Sequence, residues 1–271
     1  MNAAKLPIRP IETHTTKSRR FMWAYVALVY LFLYLPIIVL AIYSFNTSRF
    51  NVNWEGFTLD WYARLGQNSK ILAAAKTSLS IAAVSTLLST ILGTALVFGV
   101  YRNTPRIRSF VDVLIYVPMI VPETVMGIAL LAFFAATGID LGIISIIIAH
   151  VMFSTPFVAL VVQARLDGFE YSLIEAAHDL GATHWIAMTK VMLPLAAPGI
   201  FAGALLAFTL SLDDFIITFF TAGPGSTTLP LYIYSMVKFG VSPEINALST
   251  IILAITITLV VGSEFLRRKR G

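Results

Sequence analysis

The hydrophobic pattern of the chain consists of long apolar runs separated by short polar segments. Crossing a membrane as a helix takes roughly 20 mostly apolar residues. Six runs reach that length. We therefore predict an all-α membrane protein in contact with lipid, with six transmembrane helices at residues 22–45, 71–100, 110–136, 139–162, 198–222 and 245–266.

Composition supports the membrane assignment and removes several other classes. Of the 271 residues, 58% are hydrophobic and 12% are charged, whereas soluble proteins carry about 25% charged residues. This excludes an ordinary cytosolic enzyme, a disordered tail and a nucleic-acid-binding domain, despite the net charge of +5. The chain has no cysteine, which excludes disulfides and thiolate metal sites. The first apolar run exceeds a signal-peptide core of roughly 7–15 residues, so we expect it to remain as an anchor.

The placement of basic residues predicts the orientation. Lysine and arginine mark the cytoplasmic side of membrane proteins. Most of the 19 basic residues fall in four segments on one side of the predicted topology, namely residues 1–21, 101–109, 163–197 and 267–271. We therefore predict a cytoplasmic N-terminal tail at 1–21, a basic cytoplasmic tail at 267–271, and both termini in the cytoplasm.

The 163–197 loop is too long for a simple connector between spans. Leu173, Ala177 and Leu180 follow helical spacing, Gly181 fits a helix stop, and Thr183 can cap a second short helix. Two prolines are expected to end that helix before the next span, namely Pro194 and Pro198. A helix–glycine–helix of this kind suits docking to a partner, and an amphipathic pair lying on the membrane surface is the alternative.

The residues of this loop resemble the EAA loop of bacterial ABC-importer permeases. The positions that match the family in type and spacing are Glu175, Ala176, Ala177, Gly181, Leu193 and Pro194. The one departure is at Val191, where the family's Ile-x-Leu-Pro pattern has isoleucine. The resemblance implies coupling helices at residues 171–180 and 183–189, which dock into a separate ATPase through the 171–194 segment. ATP and Mg are then bound by that partner, and this chain needs no cofactor of its own.

A closer resemblance covers residues from about 30 to 257. Segments 44–50, 54–62 and 208–248 are similar to the C-type permease of spermidine/putrescine transport systems. This implies a type I ABC-importer permease in the bacterial inner membrane, with a permease domain at 22–266 whose core starts near residue 70. The implied partners are a homologous B-type permease, two copies of an ATP-binding ATPase subunit and a periplasmic polyamine-binding protein.

Acidic residues inside the predicted spans need a physical reason, because each costs roughly 2.5–3.5 kcal/mol to insert. Asp213 and Asp214 lie in the fifth span, and Glu123 follows two prolines that interrupt the third. Broken helices in membranes line cavities or protein interfaces, and carboxylates suit the ammonium groups of a polyamine. We therefore predict these three acids to lie on the substrate pathway. The alternative is a structural acid that is hydrogen-bonded or paired with Lys76.

Further residues complete the predicted pathway and its surroundings. Ser211 lies two residues before Asp213, and Trp61, Tyr232 and Tyr234 offer aromatic faces for cation–π contacts; a tryptophan of the interfacial belt is the alternative for Trp61. Asp112 is expected to pair locally with Arg106 or Arg108. Gly199 and Gly203 form a small-residue pair suited to close helix packing, for which a sister permease is one partner.

The remaining motifs argue against catalysis in this chain. The four histidines lack the spacing of a helical metal pair, so no metal site is predicted, and we find neither a phosphate-binding loop nor a catalytic triad. The favoured interpretation is a non-catalytic permease subunit of an ATP-driven polyamine importer. The alternatives are an ABC permease for another organic cation and a self-sufficient secondary transporter that couples to protons or cations through the acid pair.

Overall fold

A computed structural model describes residues 16–48, 53–100, 104–167, 172–238 and 243–268. Within these residues the chain is helical, and the β-type pairing seen there is an isolated bridge between Asn46 and Phe57. The residues form two compact units, one of 1–67 with 240–271 and one of 68–239. The predicted terminal tails at 1–21 and 267–271 lie largely outside the described residues, and Tyr171 at the start of the predicted coupling helix lies outside them as well.

The first unit contains α1 (Thr16–Tyr43), α2 (Asp60–Gln67) and α12 (Pro243–Arg268), and α12 packs against both other helices. None of the residues in the most apolar part of Phe21–Tyr43, which belongs to α1, is buried within the chain. A long apolar surface of this kind marks contact with a membrane or another protein, as expected for the first predicted span.

The second unit is built on three long helices that pack on one another, α3 (Ser69–Val100), α6 (Ile143–Asp167) and α9 (Leu193–Asp213). Close approach of α9 to α6 depends on two glycines. A Cβ at Gly199 would lie 2.6 Å from the Arg165 Cβ, and a Cβ at Gly203 would lie 3.2 Å from Val158 Cγ1. The expectation that these glycines contact a sister permease is therefore wrong, because α6 of the same chain occupies the space they leave.

The predicted third span is broken into α4 (Pro105–Ile120) and α5 (Glu123–Thr137), which meet at an angle of 104°. The break lies at Val121, whose extended backbone (φ −69°, ψ 129°) is the conformation favoured before a proline, here Pro122. Pro118 stays inside α4. Only one of the two prolines therefore interrupts the helix: the interruption predicted within the span at 110–136 is confirmed at Pro122 and is wrong at Pro118.

The fifth predicted span is also broken. After α9 the chain leaves the helix at Asp214, with φ −61° and ψ 126°, and then forms the short helix α10 (Ile216–Thr221). A turn closed by Ser226, which accepts from the Gly223 N–H at 2.8 Å, leads into α11 (Leu229–Lys238). The acidic pair thus lies at a helix break and not in the middle of a continuous span.

The 163–197 loop forms two short helices, α7 (Ser172–Asp179) and α8 (His184–Ala187). Gly181 between them has a left-handed backbone (φ +86°). Its N–H bonds to His178 O and the Ala182 N–H bonds to Ala177 O, which is the Schellman pattern of a helix stop. Thr183 caps α8 by accepting from the Ile186 N–H at 3.4 Å. The predicted stop and cap are both confirmed.

The predicted helix end at the two prolines is wrong. A π-helical turn (Met188–Met192) joins α8 to α9, so that the segment His184–Asp213 is continuously helical. Pro194 falls in the first turn of α9, where a missing N–H is tolerated, and Pro198 is accommodated inside α9. The π turn supplies the bond from the Leu193 N–H to Met188 O, so the helix continues through this region.

By length and apolar composition, four helices of the described residues can each cross a membrane, and the bent pair α4–α5 counts as a fifth if it is one span. The shorter apolar stretch Pro243–Thr258 belongs to α12. The helical membrane class is thus confirmed, whereas the count of six and the orientation of the termini stay predictions.

Candidate functional site

The two helix breaks bring the three predicted acids into one region of the second unit. Glu123 is the first residue of α5, Asp213 is the last residue of α9, and Asp214 follows it directly. Glu123 interacts electrostatically with both aspartates. The side chains of Glu123 and Asp213 are exposed, whereas Asp214 is buried. The structure therefore separates two accessible carboxylates from one that lies inside the protein.

Asp214 is fully engaged in hydrogen bonds. Its carboxylate accepts from the Ile217 N–H at 3.3 Å, the Thr218 N–H at 2.8 Å and the Thr218 hydroxyl at 2.7 Å. These are donors of the first turn of α10, so Asp214 caps that helix from the break that precedes it. His150 Nε2 on α6 adds a contact of 3.2 Å. A carboxylate with this many donors is held in one position.

Ser211 belongs to the same buried network. Its hydroxyl lies 2.7 Å from His150 Nδ1 and 2.9 Å from the hydroxyl of Ser85 on α3. The network therefore ties α3, α6, α9 and α10 together behind the acidic region. Its central member, His150, was not predicted as a site residue because only metal spacing was considered. A histidine inside an apolar run is itself a signal, since an ionisable group in a span needs partners.

Among the described residues, neither the ion pair predicted for Asp112 nor the alternative pair of an aspartate with Lys76 is formed. Lys76 is exposed and makes no salt bridge with either aspartate among the described residues. Asp112 accepts a hydrogen bond from Gln163 Nε2 at 3.3 Å. Arg108 pairs with Asp167 on α6 at 3.1 Å. The local pairing expected for Asp112 is thus replaced, because a carboxylate on the neighbouring helix lies within reach of the arginine.

An aromatic cluster lies next to the acids. Phe215, which follows Asp214, packs on Tyr234 with ring centroids 4.7 Å apart, and Phe219 contacts both rings. Together with Thr124, the neighbour of Glu123, these rings line an open cavity of about 210 Å³. Tyr234, one of the predicted aromatic residues, therefore lies in the same part of the second unit as the acids.

Trp61 is a buried residue of the first unit. Its indole N–H donates to Asn46 O at 2.8 Å, and the Arg64 guanidinium lies 4.9 Å from its ring centroid. Asn46 in turn accepts from the Glu55 N–H at 3.0 Å and donates to Asn53 O at 2.7 Å. With 6% of its surface exposed, Trp61 holds together the loop between α1 and α2.

The predicted coupling residues form an open surface. Glu175, Ala176, Gly181, Leu193 and Pro194 are exposed and Ala177 is half-buried. Large apolar side chains accompany them, with Leu180 90% and Trp185 72% exposed. Ile174 anchors α7 in the core of the second unit, next to Ala187 and Met192. The loop therefore presents apolar side chains outward, while Ile174 keeps its base in the core. Separately, no group of potential metal ligands occurs among the described residues.

Comparison with known proteins gives a consistent result. The profile of the family described as binding-protein-dependent transport system inner membrane component matches residues 86–268. The chain is 44% identical to the spermidine/putrescine transport system permease protein PotC of Escherichia coli, over 93% of this chain and 96% of that protein. It is 42% identical to the putrescine transport system permease protein PotI of Escherichia coli, over 86% of each chain.

Solved structures agree at the level of the fold. A bacterial ABC transporter involved in the import of the acidic polysaccharide alginate matches with a TM-score of 0.71 at 18% identity, covering 93% of this chain and 96% of that one. The methionine ABC transporter MetNI in an inward-facing conformation matches with a TM-score of 0.62 at 19% identity, covering 73% and 95%.

Proposed function

Because the chain belongs to the family of binding-protein-dependent transport system inner membrane components, we propose that it is the permease subunit of an ATP-driven polyamine importer. The single observation that carries the cargo assignment is the exposure of the Asp213 and Glu123 carboxylates beside an aromatic cavity. The names of relatives at 44% and 42% identity, spermidine/putrescine and putrescine permeases, support it. The chain itself is non-catalytic.

The chemistry of the site suits a flexible organic cation. A polyamine carries ammonium groups separated by methylene chains, so it needs negative charge at intervals and apolar surface between them. Asp213 and Glu123 supply the charge, while Phe215, Phe219 and Tyr234 supply ring faces for methylene contact and cation–π attraction. We assign direct cargo contact to Asp213 and Glu123.

Two other predicted pathway residues, Asp214 and Ser211, support this surface from behind. Asp214 and Ser211 hold the break between α9 and α10 through buried hydrogen bonds. Trp61 maintains the loop between α1 and α2, on the side of the membrane where a periplasmic binding protein would dock.

Coupling to ATP is assigned to the 171–194 loop. In this proposal a separate ATPase, present in two copies and carrying ATP and Mg, receives the exposed surface around Glu175, Leu180 and Trp185. The translocation pathway is completed by a sister permease of the B type. The proposed topology has six spans in the bacterial inner membrane with both termini in the cytoplasm, as the basic residues indicate.

Transport then proceeds by alternating access. A loaded polyamine-binding protein docks on the periplasmic face, and closure of the ATPase pair moves the coupling loop. The permease pair opens outward, the cargo enters past the carboxylates of Asp213 and Glu123, and ATP hydrolysis returns the pair to the inward-open state. The rival secondary transporter has no use for an exposed helix–glycine–helix loop on a fixed base.

The test is uptake of labelled spermidine and putrescine by cells that lack this gene and carry the partner subunits. The wild-type chain is expected to restore uptake, and Asp213→Asn with Glu123→Gln is expected to abolish it at equal membrane abundance. Lys76→Gln is the matched control, because Lys76 is exposed and pairs with neither aspartate. Failure of the wild-type chain on both polyamines, with uptake of another organic cation, would change the cargo. Uptake without the ATPase would favour a secondary transporter.

A further inference from the structure

His150 is a buried histidine that the transport cycle described above does not use. It lies on α6 with 2% of its surface exposed and contacts three other side chains. Its Nδ1 lies 2.7 Å from Ser211 Oγ, and its Nε2 lies 3.2 Å from Asp214 Oδ2 and 2.9 Å from Thr218 Oγ1. The imidazole therefore bridges the end of α9, the break and the start of α10.

The donor and acceptor at His150 Nδ1 follow from the hydrogen bonds of Ser85, the member of the network on α3. Ser85 donates its hydroxyl proton to Ile81 O at 2.7 Å, so it accepts from Ser211, 2.9 Å away. Ser211 then has no proton left for His150, and its oxygen accepts from the Nδ1–H. At the other ring nitrogen, Nε2 lies 2.9 Å from Thr218 Oγ1 and 3.2 Å from Asp214 Oδ2, and that carboxylate oxygen also accepts from the Thr218 hydroxyl.

His150 and Asp214 therefore form a buried, hydrogen-bonded pair, with Nε2 3.2 Å from Oδ2. A buried carboxylate without a partner is costly, whereas a paired and hydrogen-bonded one is tolerated. The pairing removes Asp214 from the set of groups open to a cation. It also fixes the backbone at Asp214 in its extended conformation, and Asp213 is the residue immediately before that turn.

We propose that His150 is a positioning residue, which holds the α9–α10 break so that the Asp213 carboxylate faces the transport pathway. The effect on transport rests on the proposed function, whereas the effect of His150 on the position of residue 213 is independent of it. Loss of the imidazole would free Asp214 and let the backbone of residues 213–215 rearrange. The orientation of residue 213 would then change although His150 makes no hydrogen bond to it.

The absence of cysteine from the chain permits a direct geometric test in the assembled complex. Asp213→Cys introduces a single thiol in this subunit, and its alkylation by a small water-soluble maleimide is followed on this chain by mass spectrometry. Adding His150→Leu is expected to change the alkylation rate at least threefold, with His150→Gln giving a smaller change because its amide can still donate to Asp214.

Matched controls separate positioning from general damage. Thr155→Val removes another hydroxyl of α6, one that bonds to Val151 O of its own helix at 2.6 Å, and it is expected to leave the rate unchanged. A thiol introduced by Asp140→Cys, at an exposed position between α5 and α6, reports on folding and is expected to react equally with and without His150→Leu. An unchanged rate at position 213 in both His150 variants would overturn the inference.

Uptake kinetics test the functional part. Asp213→Asn and His150→Leu are each expected to raise the polyamine KM about tenfold with a smaller effect on the maximal rate. The double variant is expected to resemble Asp213→Asn alone, because His150 has no carboxylate left to position once residue 213 is asparagine. Additive effects would overturn the positioning role. If the wild-type chain moves no polyamine, the proposed function fails, and the alkylation rates still decide whether His150 positions residue 213.

Discussion

Substitution of Gly181 by alanine is expected to weaken coupling to the ATPase without loosening the permease. Gly181 has φ +86°, and a Cβ at this position would meet no atom within 4 Å. The cost is therefore purely one of backbone conformation, about 1–2 kcal/mol for a non-glycine residue in the left-handed region. That energy corresponds to a factor of roughly 5–30 in the population of the native turn.

The turn aligns α7 with α8, so its loss misplaces the exposed surface around Leu180 and Trp185 while the buried base at Ile174 stays in the core. We expect Gly181→Ala to lower ATP-driven uptake about fivefold or more, with normal membrane abundance. Gly181→Asn is expected to be milder, because asparagine tolerates the left-handed conformation better than alanine does.

Gly138 provides a matched control for this reasoning. It ends α5 with φ +72°, and a Cβ there also meets no atom within 4 Å, so Gly138→Ala carries the same backbone cost away from the loop. The measurement is uptake per assembled complex, together with co-purification of the ATPase. Equal losses in Gly138→Ala and Gly181→Ala, or no loss in Gly181→Ala, would refute the assignment of the turn to coupling.

Three further predictions address the loop, the first unit and the surface. Glu175→Lys reverses an exposed charge at the centre of the proposed docking surface, so the ATPase should no longer co-purify although the chain inserts normally; intact co-purification would contradict this. Trp61→Phe leaves Asn46 O without its indole donor, which should cost about 1–3 kcal/mol and appear as faster proteolysis of the α1–α2 loop. Arg108→Gln breaks an exposed pair with Asp167 and should change the free energy of unfolding by less than about 1 kcal/mol. A fall of several degrees in melting temperature would contradict this.

Features that depend on neighbouring residues were predictable from sequence. The stop at Gly181 and the cap at Thr183 follow from residues within one turn of each, and both formed as expected. The interruption near Pro122 follows from proline stereochemistry. Pro194 and Pro198 follow the same rule and yet end no helix, because a π turn at Met188–Met192 adjusts the bonding ahead of them. No local pattern distinguishes these two outcomes.

Features that depend on distant residues were not predictable. Asp213 and Asp214 are neighbours of identical chemistry, but one is exposed and the other is buried. The buried one contacts His150, which lies 64 positions away from Asp214 in sequence on a helix, α6, that packs on α9. The glycines of α9 likewise predict close packing but not its partner, because a helix of the same chain and a helix of a second chain would both require small residues at these positions.

The uninterrupted helical segment from His184 to Asp213 has a mechanical consequence. Its 30 residues at 1.5 Å each make a rod of at most about 45 Å, with one end in the coupling loop and the other at the carboxylate of Asp213. A tilt or rotation imposed at one end of a rigid lever is delivered at the other without a relay of side chains between them. Under the proposed function, a movement that the ATPase imposes on the loop and a displacement of the Asp213 carboxylate are the two ends of one helix movement, and the π turn Met188–Met192 lies near the loop end of that helix.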